Sequence, residues 1–304
     1  MKVVLLSGGV GGARFARGVQ DVLEPGDLTV VGNVGDDVEV LGLYISPDLD
    51  SILYTLADLA DEERGWGREG DSWVTLASAA AWGGENWFSL GDLDLGLHLV
   101  RTNALRTGSS LSEVTGRMAE HAGIRTRILP ATDDRLRTHL ETPAGSFPFQ
   151  EWFVARGHRD EVDAVRFEGA EGATPGPGVL DALGAAEAIL IAPSNPYVSI
   201  GPILAVEAIR GALEARRVRS VAVSPLVGGK AVRGPADRML SRMAGGTTPR
   251  HVTDRYKGLI DALVIDEADA PATAPVELVA THTLMHDRDA ARRLAEVALE
   301  AACA

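Results

Sequence analysis

Two sets of residues near the start of the chain have the types and spacing to do chemistry. Gly8, Gly9, Gly11 and Gly12 form a run, SGGVGG, whose bare backbone amides can close on an anionic oxygen, and phosphate is the ligand such a run suits. Asp36, Asp37, Asp48 and Asp50 follow in two acidic pairs, GDD and PDLD. Carboxylates at this density suit a hard cation, and magnesium, Mg2+, is commonly held by one or two of them beside substrate phosphates. Ordinary roles compete with both readings. A glycine run also makes a tight turn, and any one of these Asp residues serves equally well as a turn residue or helix cap. Four glycines exceed what a turn requires, and the acids taken together favour a metal or ligand site.

Later segments add groups that suit anionic oxygens: Ser194, Asn195 and Ser199 in PSNPYVS, then Lys230 and Arg233 after the glycines at 228 and 229. The motifs for other chemistries are missing. Ala13-Arg14 stand where a P-loop requires Lys followed by Ser or Thr, and Arg14 stands where the dinucleotide fingerprint needs its third glycine. There is no serine elbow, no H-E-x-x-H zinc spacing among the 7 histidines, and a single cysteine, Cys303, at the tail. Phosphoryl transfer is the chemistry these sets suit; covalent hydrolysis and multi-cysteine metal binding are not.

The elements that must position these groups are short apolar strands alternating with helices. KVVLL runs into the glycine run and a helix; DLTVVGNV ends at Gly35-Asp36-Asp37; AILIA ends at Pro193-Ser194-Asn195; and runs over 218–223, 262–265 and 278–281 repeat the unit before a closing helix over 287–302. A hairpin is expected from 139–141 and 149–154 across the turn at 143–145. Asp48 and Asp50, two apart in an extended segment, are expected to face one side, ahead of a helix beginning near Ser51. His98 and Arg101, one turn apart, read as a solvated helix face. This alternation specifies an α/β fold, a Rossmann-like, mostly parallel sheet with helices on both faces. We expect one domain over 1–304, with a sheet core at 1–50 and 125–304 and a mostly helical insert at 51–124 that holds Trp66, Trp73, Trp82 and Trp87. In such sheets ligands bind beyond the carboxyl ends of the strands, where the polar residues above would converge with Thr132-Asp133-Asp134.

The 304 residues, 45% of them hydrophobic, suffice for a buried core, and a net charge of −14 argues against a nucleic-acid surface. No apolar run approaches a membrane span and no signal-peptide pattern opens the chain, so a cytoplasmic location is expected.

The chain resembles the 2-phospho-L-lactate transferases of deazaflavin-coenzyme biosynthesis, in particular their actinobacterial-type branch. The resemblance rests on LLSGGVGGARFARG, VVGNVGDD, SPDLDSILYTLADL, NWFSLGDLDLGLHLVRT, LPATDDRLRTH, FQEWFV, APSNPYVSIGPILAV and SPLVGGKAVRGPADRM, in that order along nearly the whole chain. It implies transfer of phosphoenolpyruvate or 2-phospho-L-lactate from a guanylyl-activated diphosphate to the deazaflavin alcohol Fo, releasing GMP with Mg2+ assisting, in a homodimer. It also implies that Asp50 contacts the deazaflavin and orients or deprotonates its hydroxyl. Asp48 would stand beside the acceptor and, with Asp36 and Asp37, near the metal. The glycine loop, the segment from Ser194 to Gly201 and Lys230 would hold the phosphates and guanosine. The family's G-D-R-D reads Gly91-Asp92-Leu93-Asp94 here, so Leu93 replaces an Arg beside the acceptor, and a guanidinium's charge and hydrogen bonds are missing there. A competing reading is a sugar-nucleotide-binding regulator of the gluconeogenesis-factor family, which shares G-G-x-G-G and N-x-G-D-D. A nicotinamide-dependent oxidoreductase is set back by Arg14.

Overall fold

The computed structural model describes residues 1–304. In chain order the elements are β1 (Val3–Ser7), α1 (Gly9–Val22), β2 (Leu28–Gly32), β3 (Val38–Val40), β4 (Leu43–Ile45), α2 (Pro47–Leu56), α3 (Val74–Ala81), α4 (Asp92–Arg106) and α5 (Leu111–His121). Next come β5 (Arg127–Pro130), β6 (Arg137–Thr142), β7 (Gly145–Pro148), β8 (Ala164–Glu168), α6 (Val179–Ala185), β9 (Ala188–Ile191), α7 (Gly201–Ala205) and α8 (Glu207–Glu214). The chain closes with β10 (Ser220–Val223), β11 (Leu226–Val227), β12 (Lys230–Ala231), α9 (Ala236–Ala244), α10 (Pro249–Arg255), β13 (Ala262–Asp266), β14 (Glu277–Thr281) and α11 (Arg288–Cys303).

Seven strands form one sheet in the order β14-β13-β10-β9-β1-β2-β5, and every pairing in it is parallel. The α/β, Rossmann-like expectation is met. The cause is legible in the strands: β1, β2, β9, β10 and β13 are buried at every residue, as unbroken apolar runs must be when helices cover both faces. Chain order reverses between β1 and β9. The chain leaves β1 toward β2 on one side and returns at β9 on the other, which makes the gap above these two strands the topological switch point. Close helix packing supports it: a Cβ on Gly18 of α1 would fall 2.2 Å from the Ala291 carbonyl oxygen of α11.

Helix α2 packs against α1, with Leu49, Ile52 and Leu53 in the main core. Two local expectations are corrected, the hairpin and the helix start near Ser51. The hairpin forms, but its second strand is 145–148; Phe149, Trp152 and Phe153, spaced as on a helix, instead cluster on a π-helical turn at Glu151–Ala155. Residues 200–214 form two helices, divided at Val206, whose backbone is extended. PDLD opens α2 at Pro47 because proline favours the first helical position.

Candidate active site

Because the sheet strands run parallel, their carboxyl ends lie along one edge, and a cavity of about 670 Å3 opens there. It is lined by Gly8, Gly9 and Gly11 after β1, Asp36 after β2, Ser194 and Asn195 after β9, and Ser224 after β10. Its size is that of a small-molecule site.

One end is built for anions. Gly8 is extended and Gly9 sits at a φ of 69°, a left-handed conformation natural to glycine, so the chain turns sharply into α1 and directs that helix's N-terminus at the cavity. Ser194 locks the loop to β9: its hydroxyl donates to the Gly8 carbonyl at 2.7 Å and faces the Gly8 amide at 3.4 Å. Gly12 lies outside the lining and works in packing, since a Cβ there would stand 2.5 Å from Ser7 Oγ and 2.7 Å from Ser194 Oγ. Ser199 lines the cavity beside Gly8, and Arg14 and Arg233 add guanidinium groups to its wall. Both are held by backbone carbonyls, Arg14 by Met285 and Glu62, Arg233 by Gly65. Neither forms an ion pair, so their charge stays available to a ligand. Arg14 fails the dinucleotide fingerprint, but its place on α1 just past the glycines is the signal for a side chain at the loop.

Gly8→Ala follows directly as a test. A methyl group would meet Asp48 Oδ2 at 2.6 Å and Ser199 Cβ at 3.0 Å. The variant is expected to fold, because the loop is at the sheet edge, and to lose GDP affinity at least tenfold in calorimetric titration. Unchanged affinity would remove the loop from the phosphate site.

Beside this loop the cavity wall is acidic. Asp48 and Asp50, on the first turn of a helix, point apart, which corrects the expectation that they share a side. Asp48 Oδ2 accepts from Asn33 Nδ2 at 2.9 Å, and that amide also reaches the Val198 carbonyl, tying the ends of β2 and β9 together. Asp50 is gripped by Arg101 of α4, with Nη1 donating to Oδ2 at 3.0 Å and Nη2 donating to Oδ1. His98 and Arg101 are 2% and 1% exposed, so the helix face read as solvated is buried against α2.

Burial pushes the Asp48 carboxyl up to about 6, against the opposing pull of the Asn33 amide. Asp36 is raised well above the ordinary carboxylate range by burial and by the nearby Asp48 charge, and its Oδ1 has no hydrogen-bond partner in the protein. Of these two buried carboxylates, Asp36 is raised by the charge of Asp48 and carries an orphan oxygen. Oxygen donors of this kind fit Mg2+. Asp37 is turned away: its Oδ2 accepts from Tyr44 Oη at 2.8 Å and Ser46 Oγ at 3.0 Å, and burial moves it to about 7.

Other expected site residues lie elsewhere. Lys230 is exposed and outside the cavity; its loop instead directs the Gly228 and Gly229 amides at Asp269. Gly201 meets the Phe167 ring, with Cζ 2.9 Å from where a Cβ would sit. Leu93 is 43% exposed on the first turn of α4 and does not line the cavity. Neighbouring Asp92 caps α3 through the Val74 and Thr75 amides, and Asp134 binds Thr174. Of the insert tryptophans only Trp66 lines the cavity. Tyr54, Asp94, Phe149 and Gln150, none of them singled out by spacing, do line it.

Known proteins resemble this chain along its whole length. Phosphoenolpyruvate transferases from Streptomyces griseus and Streptomyces coelicolor are 43% and 42% identical, the first over 99% of this chain and 98% of its own length, the second over 98% and 97%. That of Mycolicibacterium smegmatis is 39% identical over 99% of both chains. The fold also matches crystal structures of protein BH3568 from Bacillus halodurans, one described as a member of the UPF0052 family. These superpose with a TM-score of 0.65 at 17% identity, covering 98% of this chain and at least 99% of theirs. Residues 3–303 match the family described as 2-phospho-L-lactate transferase CofD, and with relatives of this identity along its whole length the chain belongs to that family.

Proposed function

We propose that this protein transfers phosphoenolpyruvate or 2-phospho-L-lactate from a guanylyl-activated diphosphate to the deazaflavin alcohol Fo, releasing GMP, in deazaflavin-coenzyme biosynthesis. The observation that carries this reading is the meeting of two kinds of group in one cavity at the switch point. Helix-terminal amides, Ser194, Ser199, Arg14 and Arg233 line it together with the buried acids, and Asp48 lies directly against the glycine loop. A diphosphate laid against the glycine loop would place its bridging region beside Asp36 and Asp48. Those two residues would hold Mg2+, which when bound supplies positive charge to the diphosphate oxygens.

The terminal hydroxyl of the acceptor attacks the phosphorus that bears the organic acid. A new P–O bond forms, the P–O bond to GMP breaks, and the hydroxyl proton departs. Asp50, held in place by two hydrogen bonds from Arg101, keeps lone pairs free to accept from that hydroxyl and orient it. Arg14, Arg233 and the α1 amides hold the departing phosphate oxygens.

A homodimer belongs to this reading. Val74 and Trp82 at the two ends of α3, and Leu99 and Val100 on α4, are exposed apolar side chains, and light scattering of the purified chain checks whether a second copy covers them.

Incubation with Fo, a mixture of guanylyl-activated phosphoenolpyruvate and phospholactate, and Mg2+, followed by mass spectrometry, tests the reaction and names the acid. A phosphodiester of Fo is expected, and its formation should stop with chelator. No product, with UDP-sugar binding instead, would favour the regulator.

A further inference from the structure

The wall of the cavity formed by α2 and α4 contains a group whose protonation its neighbours dictate. Arg101 Nη1 stands 3.4 Å from His98 Nδ1 while donating to Asp50. A guanidinium has N–H donors and no lone pair to offer, so His98 Nδ1 must present its own lone pair. The alternative partner, Asp50 Oδ2, is 3.8 Å from Nδ1, beyond hydrogen-bond reach. Burial and the Arg101 charge also oppose an imidazolium, although the Asp50 charge works the other way. The ring is therefore neutral and carries its proton on Nε2. No protein atom accepts from Nε2, and His98 lines the cavity.

Two further atoms in the same wall have no partner beyond each other. Asp94 Oδ1 and Tyr54 Oη are buried, stand against each other, find no other partner in the protein, and belong to residues lining the cavity. The wall thus offers an N–H donor, an oxygen acceptor and a hydroxyl able to serve as either. A phosphate is excluded by the adjacent Asp50 and Asp94 carboxylates, and a cation by the His98 N–H and the Arg101 charge behind it. What satisfies all three is an uncharged edge that carries a carbonyl beside an N–H.

We propose that His98, Asp94 and Tyr54 form a subsite that recognises such a carbonyl and N–H edge on the ring of the acceptor. His98 donates to the carbonyl, Asp94 accepts from the ring N–H, and Tyr54 closes the wall. The proposal rests on the transfer reading only for the identity of the acceptor; the subsite itself can be tested without turnover.

Lumazine, a bare ring with the same kind of edge, is the binding probe. Calorimetry should find that His98→Leu weakens lumazine at least tenfold, that His98→Gln, which keeps an N–H near the same place, stays within about threefold, and that GDP affinity is unchanged in both. In transfer assays the KM for Fo should rise in His98→Leu while the KM for the activated donor does not. Equal lumazine binding by all three proteins, or equal loss of lumazine and GDP, would overturn the subsite. Nitrogen-15 spectra of the unmodified protein need no variant: His98 should be protonated on Nε2 alone from pH 6 to 8, and a proton on Nδ1 at pH 7 would overturn the assignment. If the wild type binds lumazine through His98 yet makes no Fo product, the transfer reading fails and the subsite stands.

Discussion

Arg101→Met is expected to destabilise the fold by about 3–5 kcal/mol and to abolish transfer. The guanidinium is 1% exposed and supplies two hydrogen bonds to Asp50, itself 4% exposed. Removing it leaves Asp50 charged, buried and without its main partner, which costs far more than the pair contributes when intact. The control is the double variant Asp50→Leu with Arg101→Met. With both charges gone the wall becomes apolar at similar volume, so urea denaturation should recover most of the lost stability while transfer stays absent. Stability lost equally in the single and double variants would mean that Arg101 acts by packing, and that Asp50 is not a held carboxylate.

Asp48→Asn should move stability and activity in opposite directions. The Asp48 carboxyl is raised from 3.8 to about 6 by burial, so its folded form holds a proton more tightly than the unfolded chain does. Its stabilising contribution is complete below the unfolded value near pH 4 and is lost as pH rises through about 6. At pH 8 without divalent cations the wild type carries an unfavourable buried charge that the amide lacks. Asp48→Asn should therefore be more stable there by about 1–3 kcal/mol, with the difference vanishing near pH 4. Transfer should fall by about a hundredfold or more, since the expected metal contact is altered. Adding Mg2+ should stabilise the wild type and leave the variant nearly unmoved. A variant with the same pH slope as the wild type would show that Asp48 is not the strained carboxylate.

Both predictions concern residues whose types were readable and whose partners were not. VVLLSGGVGGAR could only be a buried strand entering a helix through a glycine turn, because the apolar run and the glycines allow no other backbone there. The remaining buried strands follow from the same argument, and with them the parallel sheet and its functional edge. Lys230 illustrates the limit: glycines before a lysine suggest anion binding, yet the turn spends those amides on Asp269. Asp48 and Asp50 illustrate it further, since a proline at the first helical position rotates them apart toward Asn33 and Arg101.

The chain by itself determined the α/β class, the sheet edge that bears the site, the glycine loop and the supply of acids, because these depend on local pattern and on strand direction. Only the tertiary structure decided that His98 and Arg101 are buried, that Asp36 and Asp48 line one cavity while Asp37 turns to Tyr44, and that Leu93 and Lys230 stand outside it. Those outcomes depend on contacts between segments far apart in sequence. A charged residue one helical turn from another looks the same to local spacing whether a second helix covers it or water does.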